Sequence, residues 1–496
     1  RIQHADALGS TNGATEIYST GSNQTGGQLL VSGGLVVSEP ISVIGTGDTS
    51  PYHFAVQVPG GGGSNTLTGP VTINTTGGVR LGAGGTGTVL VFQGPFTRAT
   101  AANTLQVSVG ANNGQVVFDT WIDNKGGDLT LPGGGLGVVR LNAPSNNIGN
   151  VQIAGRHILE LGAHDALAVN RRVQIGYEST WADASIGTFN LAGFNQTINE
   201  LVGGGSSNAV TARVLTNSAP TLSTLTVGNG NGSGTFNGVI GGHLALTKVG
   251  SGTQTLGGPG SFWGDTTIQQ GVLRITNALA LQMSTLVTST GALGVDATLA
   301  ACMLGGLAGA YDLGLTNAAG AAIALSVGNN GDDTTFGGAL TGAGSLTKVG
   351  DGTLTLTGAN AYAGATTIEA GTLALGADGA LPAGSAVVFN GGALASGSFT
   401  NTLGAVSVDT LGGTLAMGDG SGTLAFANSS GQTWSGALNV TFTGTWNPAA
   451  LRFGTNASGL SAAQLQSLRL NGERAWFQLD AQGYLWKMTG TLLRVR

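Results

Sequence analysis

The strongest constraint on the fold is an internal repeat at a fixed spacing. Residues 225–275 align with 325–375 without a gap, and 24 of the 51 positions are identical. A constant offset of this kind marks a chain that stacks copies of one supersecondary unit. Leu225-Thr-Val-Gly-Asn229 matches Leu325-Ser-Val-Gly-Asn329, and Leu246-Thr-Lys-Val-Gly250 matches Leu346-Thr-Lys-Val-Gly350. Thr266-Thr-Ile268 then matches Thr366-Thr-Ile368. Two of the four lysines, Lys248 and Lys348, occupy equivalent places. A shorter echo relates 159–167 to 373–381.

Within the repeat, apolar residues alternate with small polar ones. In Thr353-Leu-Thr-Leu-Thr357 the leucines face one way and the threonines the other. Period two in short runs bounded by Gly, Asn and Asp is the strand signal. Short strands, glycine corners and a long repeat predict a parallel β-helix, with inward Leu, Val and Ile forming an apolar column. Coils of roughly 20–25 residues would give about 20 coils and a rod near 100 Å. Composition agrees. Glycine supplies 90 of 496 residues and charged residues only 8%, which excludes coiled coils and helical bundles, while only 11 prolines exclude collagen. A net charge of −6 and no basic patch speak against nucleic acid as a partner. No apolar run approaches the roughly 20 residues of a spanning helix, so membrane insertion is not expected. Cys302 is the only cysteine, so no internal disulfide forms. The start at Arg1 reads as a processed or partial chain.

The segment 346–373, Leu346-Thr-Lys-Val-Gly-Asp-Gly-Thr-Leu through Glu369-Ala-Gly-Thr-Leu373, resembles the autotransporter-associated β-strand repeat of large bacterial surface proteins. The copy at 246–273 is similar, as are Asn190-Leu-Ala-Gly-Phe-Asn-Gln-Thr-Ile198 and Ala5-Asp-Ala-Leu-Gly-Ser10. The resemblance implies a right-handed β-helix exported to the bacterial cell surface. It carries no catalytic residues across, because the motif is structural. An autotransporter ends in a membrane barrel with an aromatic terminus, whereas this sequence ends Leu492-Leu-Arg-Val-Arg496.

Composition shifts near residue 433. The degenerate repeats fill 1–432, and 433–496 reads as a C-terminal cap or assembly module holding Trp434, Trp446, Trp476 and Trp486. Ser461-Ala-Ala-Gln464 is a capping box, with Leu460 and Leu465 placed as a hydrophobic staple. It predicts one short helix near 462–469. A hairpin of 475–479 with 484–488, turning at 480–483, should follow. The two termini together rebuild one repeat strand and its turn. Head-to-tail assembly is therefore expected, the C-terminal strand of one subunit completing the first coil of the next. The interface residues would be Ile2, His4, Ala5 and Leu8 at one end, and Trp476, Trp486, Leu492, Leu493 and Val495 at the other.

Chemistry is hard to place. Gly82-Ala-Gly-Gly-Thr-Gly87 runs into the strand-like Thr88-Val-Leu-Val-Phe92, not into a helix that could cradle phosphate. His157 and Glu160 fall on opposite strand faces, so neither they nor His164 and Asp165 suggest a metal. Asp332 and Asp333, and the cluster of Asp123, Lys125 and Asp128, read as solvated turns. No catalytic residue, cofactor or metal site is expected. The main expectation is a structural extracellular solenoid forming fibres or matrix. The alternative is an autotransporter-like adhesin displayed singly, binding glycans or the surfaces of host or neighbouring cells. A β-helix polysaccharide lyase or hydrolase is the third reading. With so few titratable groups, stability should vary little with pH.

Overall fold

The computed structural model describes residues 1–9, 11–19, 27–45, 54–100, 102–110, 114–133, 136–176, 186–203 and 213–488. The chain forms two compact units, Arg1–Gly264 with Gln269–Arg274, and Asp265–Ile268 with Ile275–Arg496. Each is an all-β parallel solenoid, and the α-helix of the described chain is one short element near the C-terminus. No helix among the described residues is long and apolar enough to cross a membrane.

In the first unit, short strands stack in register and in parallel. Thr15–Ser19, Ile41–Gly45, Val71–Thr75, Phe96–Arg98 and Ile122–Asp123 make one five-stranded sheet. A second sheet of eight strands runs from Leu29–Leu30 to Glu200–Val202, and a third of ten from Val36–Val37 to Gly260–Phe262. Alternation along most of these strands sends every second side chain inward. Leu67, Phe92, Phe118, Leu141 and Leu161 lie over one another in register, each at most 1% exposed. Phe92 and Phe118 stack 4.9 Å apart, and Phe96 meets both edge-on. Each such side chain contributes on the order of 1.5–3 kcal/mol of burial. Arg98 breaks the apolar column. It stands in register with Ile73 yet is 1% exposed, and its Nε donates to Asn124 Oδ1 at 2.7 Å.

Coil length departs from expectation in this unit. Ile41 pairs with Val71, thirty positions on, and Val71 with Phe96, twenty-five on. The corners are loops of unequal length, and a solenoid constrains the strands between corners rather than the corners themselves. In the second unit the spacing is tighter. Leu346, Thr366, Val387 and Val406 follow at about twenty residues each, so the hundred-residue repeat corresponds to about five coils. Its inner column, Leu354, Leu373, Leu394, Leu415 and Val440, is dry throughout. Buried asparagines pin the corners. Asn360 Oδ1 accepts the Leu340 N–H at 2.6 Å while its Nδ2 donates to Ala380 O at 2.6 Å, so one side chain ties three coils.

Parallel stacking continues past residue 433. Leu438–Thr441 and then Leu468–Leu470 join the same sheet. There the pattern stops, because Glu473–Arg474 pairs antiparallel with Leu468–Leu470 and covers its free edge. The expected helix is found as Ala462–Ser467 with both halves of the capping box formed. It ends before 469 because Leu468 turns extended (ψ 148°) to enter its strand. The expected hairpin is Phe477–Leu479 with Leu485–Lys487. Asp480 Oδ1 accepts the N–H groups of Gln482 and Tyr484 and closes its turn.

Candidate functional site

The most specific residue of the repeat is its lysine. Lys248 closes the strand Leu244–Lys248 and Lys348 closes Ser345–Lys348, both at inward positions and at most 1% exposed. Each ammonium turns back to donate to main-chain carbonyls. Lys248 Nζ reaches Val249 O at 2.6 Å, Gly250 O at 2.8 Å and Gln270 O at 3.2 Å. Lys348 Nζ repeats the set on Val349 O at 2.7 Å, Gly350 O at 2.7 Å and Ala370 O at 3.3 Å. Three donors meet three acceptors, one of them in the following coil. Burial lowers the pKa of both ammonium groups. The repeat lysine is thus a staple of the scaffold and is not presented to a ligand. Its recurrence at equivalent positions was the available sequence signal, but periodicity does not reveal which atoms it meets.

The residues expected at a subunit interface are placed as follows. Ile2 is buried and already paired, its N–H donating to Leu30 O at 2.8 Å within a parallel bridge to Val31. His4 is exposed and accepts the Asp6 N–H at the start of the short 3-10 turn Ala5–Leu8, in which Ala5 and Leu8 are half-buried. Trp476 and Trp486 are 62% and 45% exposed, and Trp486 Nε1 donates to Asp480 Oδ2 at 3.1 Å. Leu492, Leu493 and Val495 lie outside the described residues.

Residues weighed for chemistry sit in structural roles. Gly82 lies within the strand Val79–Ala83, and Val89–Phe92 is again a strand. Asp333 Oδ1 accepts the Thr353 N–H at 2.6 Å, and Asp332 Oδ2 accepts from Asn330 Nδ2 at 2.8 Å. Asp123 holds Lys125 at 2.8 Å in a turn. Burial works against its carboxylate, but hydrogen bonds from Lys125 and Asn147 outweigh it and hold the group below the usual range. His164 Nδ1 accepts the Asn195 N–H, and His53 lies outside the described residues. Among the described residues no three or more His, Cys, Asp or Glu gather as a metal site would require. The Asp265 carboxyl is raised by burial and by the charge of Asp332.

The second unit also carries an open cleft of about 540 Å³. Leu281–Thr288 and Ala301–Gly309 pair with a register shift between Leu281 and Thr285, which loosens the coil locally. The rim carries Thr288, Ser289, Thr290, Tyr311 and Asp312. Tyr311 is 50% exposed, its N–H bonded to Thr288 Oγ1 at 3.1 Å, and Asp312 Oδ1 accepts the Ala339 N–H at 2.7 Å. The cleft offers hydroxyls, an aromatic ring and one carboxylate. It offers contact chemistry rather than a nucleophile with a base.

In-register coils, corner asparagines and a duplicated lysine staple define the class. The chain is a β-solenoid that carries autotransporter-associated repeats. The family described as the passenger-associated-transport-repeat matches residues 246–275 and 346–375, the two stretches that contain the staples. The chain is 32% identical over 256 residues to the adhesin BmaC autotransporter of Brucella suis biovar 1 (strain 1330). That alignment covers 46% of this chain and 7% of the relative, so the chain spans a small part of the curated protein it matches. No solved structure matches it.

Proposed function

We propose that this chain is part of a surface-displayed passenger that works as an adhesin. The observation carrying this reading is the similarity to an adhesin autotransporter over 256 residues. The scaffold supports it. The repeat's lysines are consumed as internal staples, and the outward positions present hydroxyls, amides and scattered exposed aromatics such as Trp263 and Tyr311. This puts adhesion ahead of assembly, the reverse of the order expected from the sequence. In this reading the protein holds surfaces in place and catalyses nothing. The test is retention on epithelial monolayers of beads coated with the purified chain. Retention several-fold above albumin-coated beads is expected; equal retention would remove the reading.

Head-to-tail assembly stays as a second reading, because among the described residues Thr15–Ser19 and Val36–Val37 are each paired along one edge only. An added strand from another copy would satisfy such an edge. If this reading holds, removing residues 489–496 leaves folded monomers that no longer elongate, and filaments of unchanged length would end it.

A further inference from the structure

Near the C-terminus three strands of successive coils, Asn401–Leu403, Leu424–Phe426 and Leu451–Phe453, stack in parallel. Register places Leu403, Phe426 and Phe453 in one row, all buried. The alternate row is Thr402, Ala425 and Arg452. An alanine between a threonine and an arginine leaves a gap in that row. Loop residues around 427–428 and 454–456 wall the gap into a groove of about 450 Å³. This lies within the roughly 300–1,000 Å³ of small-ligand sites.

The groove holds several donors and no carboxylate. Arg452 supplies the charge, its guanidinium carbon 5.8 Å from the centre of the Tyr484 ring. Its Nε is buried and makes no hydrogen bond, and among the described residues no carboxylate forms an ion pair with it. No Asp or Glu lines the groove. Asn428 and Asn456 line it, and both spend their carbonyl oxygen at home. Asn428 Oδ1 accepts from Ser430 N–H at 3.0 Å and from Ser430 Oγ at 2.8 Å, and Asn456 Oδ1 accepts the Ser458 N–H at 2.9 Å. What each amide retains is its NH₂ group, a donor. In a chain of net charge −6 such a local excess of donors is a specific feature. Arg452 as a whole is only half-buried, and a carboxylate fits a guanidinium fork through charge-assisted bonds.

The remaining lining selects among carboxylates. Ala425 and Ala427 supply methyl surface beside the donors, which suits the C–H face of a pyranose ring. An extended acidic peptide would seek an open strand edge. Here Leu424–Phe426 is paired on both sides and Arg452 is bridged antiparallel to Tyr484, so the strands nearest the guanidinium offer no open edge. We propose that this groove binds an acidic sugar, a uronic or sialic acid residue of a glycan. Arg452 takes the carboxylate, and the Asn428 and Asn456 amides donate to its oxygens or ring hydroxyls. The proposal rests on the adhesin reading and names the chemistry its contact uses.

The experiment is titration of the full chain with sialyllactose and with glucuronic acid, against lactose and glucose, by calorimetry at low and high salt. At least one acidic sugar should bind 10-fold or more tightly than its neutral counterpart, and less tightly in high salt. Arg452→Gln should abolish the difference while the thermal midpoint reports that the variant is folded. If Arg452→Gln does not fold, Asn456→Asp serves instead. Asn456 is exposed, the aspartate keeps the turn acceptor, and the new carboxylate should repel the ligand. Equal binding of acidic and neutral sugars overturns the proposal, as does unchanged binding by a folded Arg452→Gln. Displacement of the sugar by a short poly-glutamate peptide at equal concentration also overturns it, and makes acidic peptide the occupant. Sugar binding is read on the isolated protein and cell retention on coated beads, so this proposal and the adhesin reading can fail separately.

Discussion

His157 lies wholly buried just before the strand Ile158–Leu161. Its Nε2 accepts the Val109 N–H at 3.0 Å, and its Nδ1 stands 2.8 Å from Ala154 O, so the proton sits on Nδ1 and the ring is neutral. Desolvation pushes its pKa down to about 4, with Arg80 adding to the effect and the carbonyls of Ala154 and Pro132 opposing it. Between pH 6.5 and 4 the unfolded chain binds a proton that the native chain refuses. The stability from this residue is therefore complete above pH 6.5 and is lost as pH falls toward 4, by about 3 kcal/mol. Urea unfolding at pH 7 and pH 4.5 should show the loss, and His157→Gln should flatten it. Scarcity of charges alone suggests stability that varies little with pH; the buried imidazole is expected to add this dependence. The lysine staple makes a second residue-scale prediction. Lys348→Met leaves the carbonyls of Val349, Gly350 and Ala370 short of a donor and should cost about 2–4 kcal/mol, read as a lower urea midpoint.

At the scale of elements, the corners and the cap explain why strands this short persist. Gly350 has φ +65°, and a Cβ there would run into the carbonyl of Gly328 in the adjacent coil, so the corner after the staple admits only glycine. Gln464 works in the same way for the cap. Its side chain completes the capping box with Ser461, and its Nε2 donates to Ser429 O at 2.8 Å and Gln432 O at 2.9 Å. One residue thus starts the helix and fastens it to the coil it covers. Gln464→Ala should cost about 2–3 kcal/mol. Hydrogen exchange should quicken first in Leu468–Leu470, the strand next to the helix; unchanged protection there would show that the cap is held by its aromatic contacts alone. Those contacts include Phe426 stacked on Phe453 at 5.4 Å and Trp446 against Phe442 and Phe477.

At the scale of the whole molecule, stacked coils meet mainly their neighbours, so stability is a sum of local terms rather than one cooperative core. With two compact units, unfolding should not be two-state. Thermal scans at pH 7 should resolve two transitions. Acidification toward pH 4.5 should lower chiefly the one belonging to the unit that holds His157. A single transition at both pH values would contradict this. Four of the seven tryptophans, Trp434, Trp446, Trp476 and Trp486, lie in the second unit, so the larger part of the indole signal should follow its melting.

Local pattern was enough for much of this protein. Period-two alternation determines a strand's buried face without knowledge of its partners, and Ser461 with Gln464 starts a helix through bonds three residues apart. The fixed offset of the repeat makes Lys248 and Lys348 equivalent from sequence alone. Tertiary structure decided what depends on stacking. Thr402, Ala425 and Arg452 are more than twenty residues apart in sequence and become neighbours only through coil register. The same holds for Arg98 within an apolar column and for His157 beneath the Val109 N–H. Coil length varies with corner loops that carry no periodic signal, so side chains one coil apart cannot be paired by counting. A face is a property of a strand, whereas a site is a property of the register between strands.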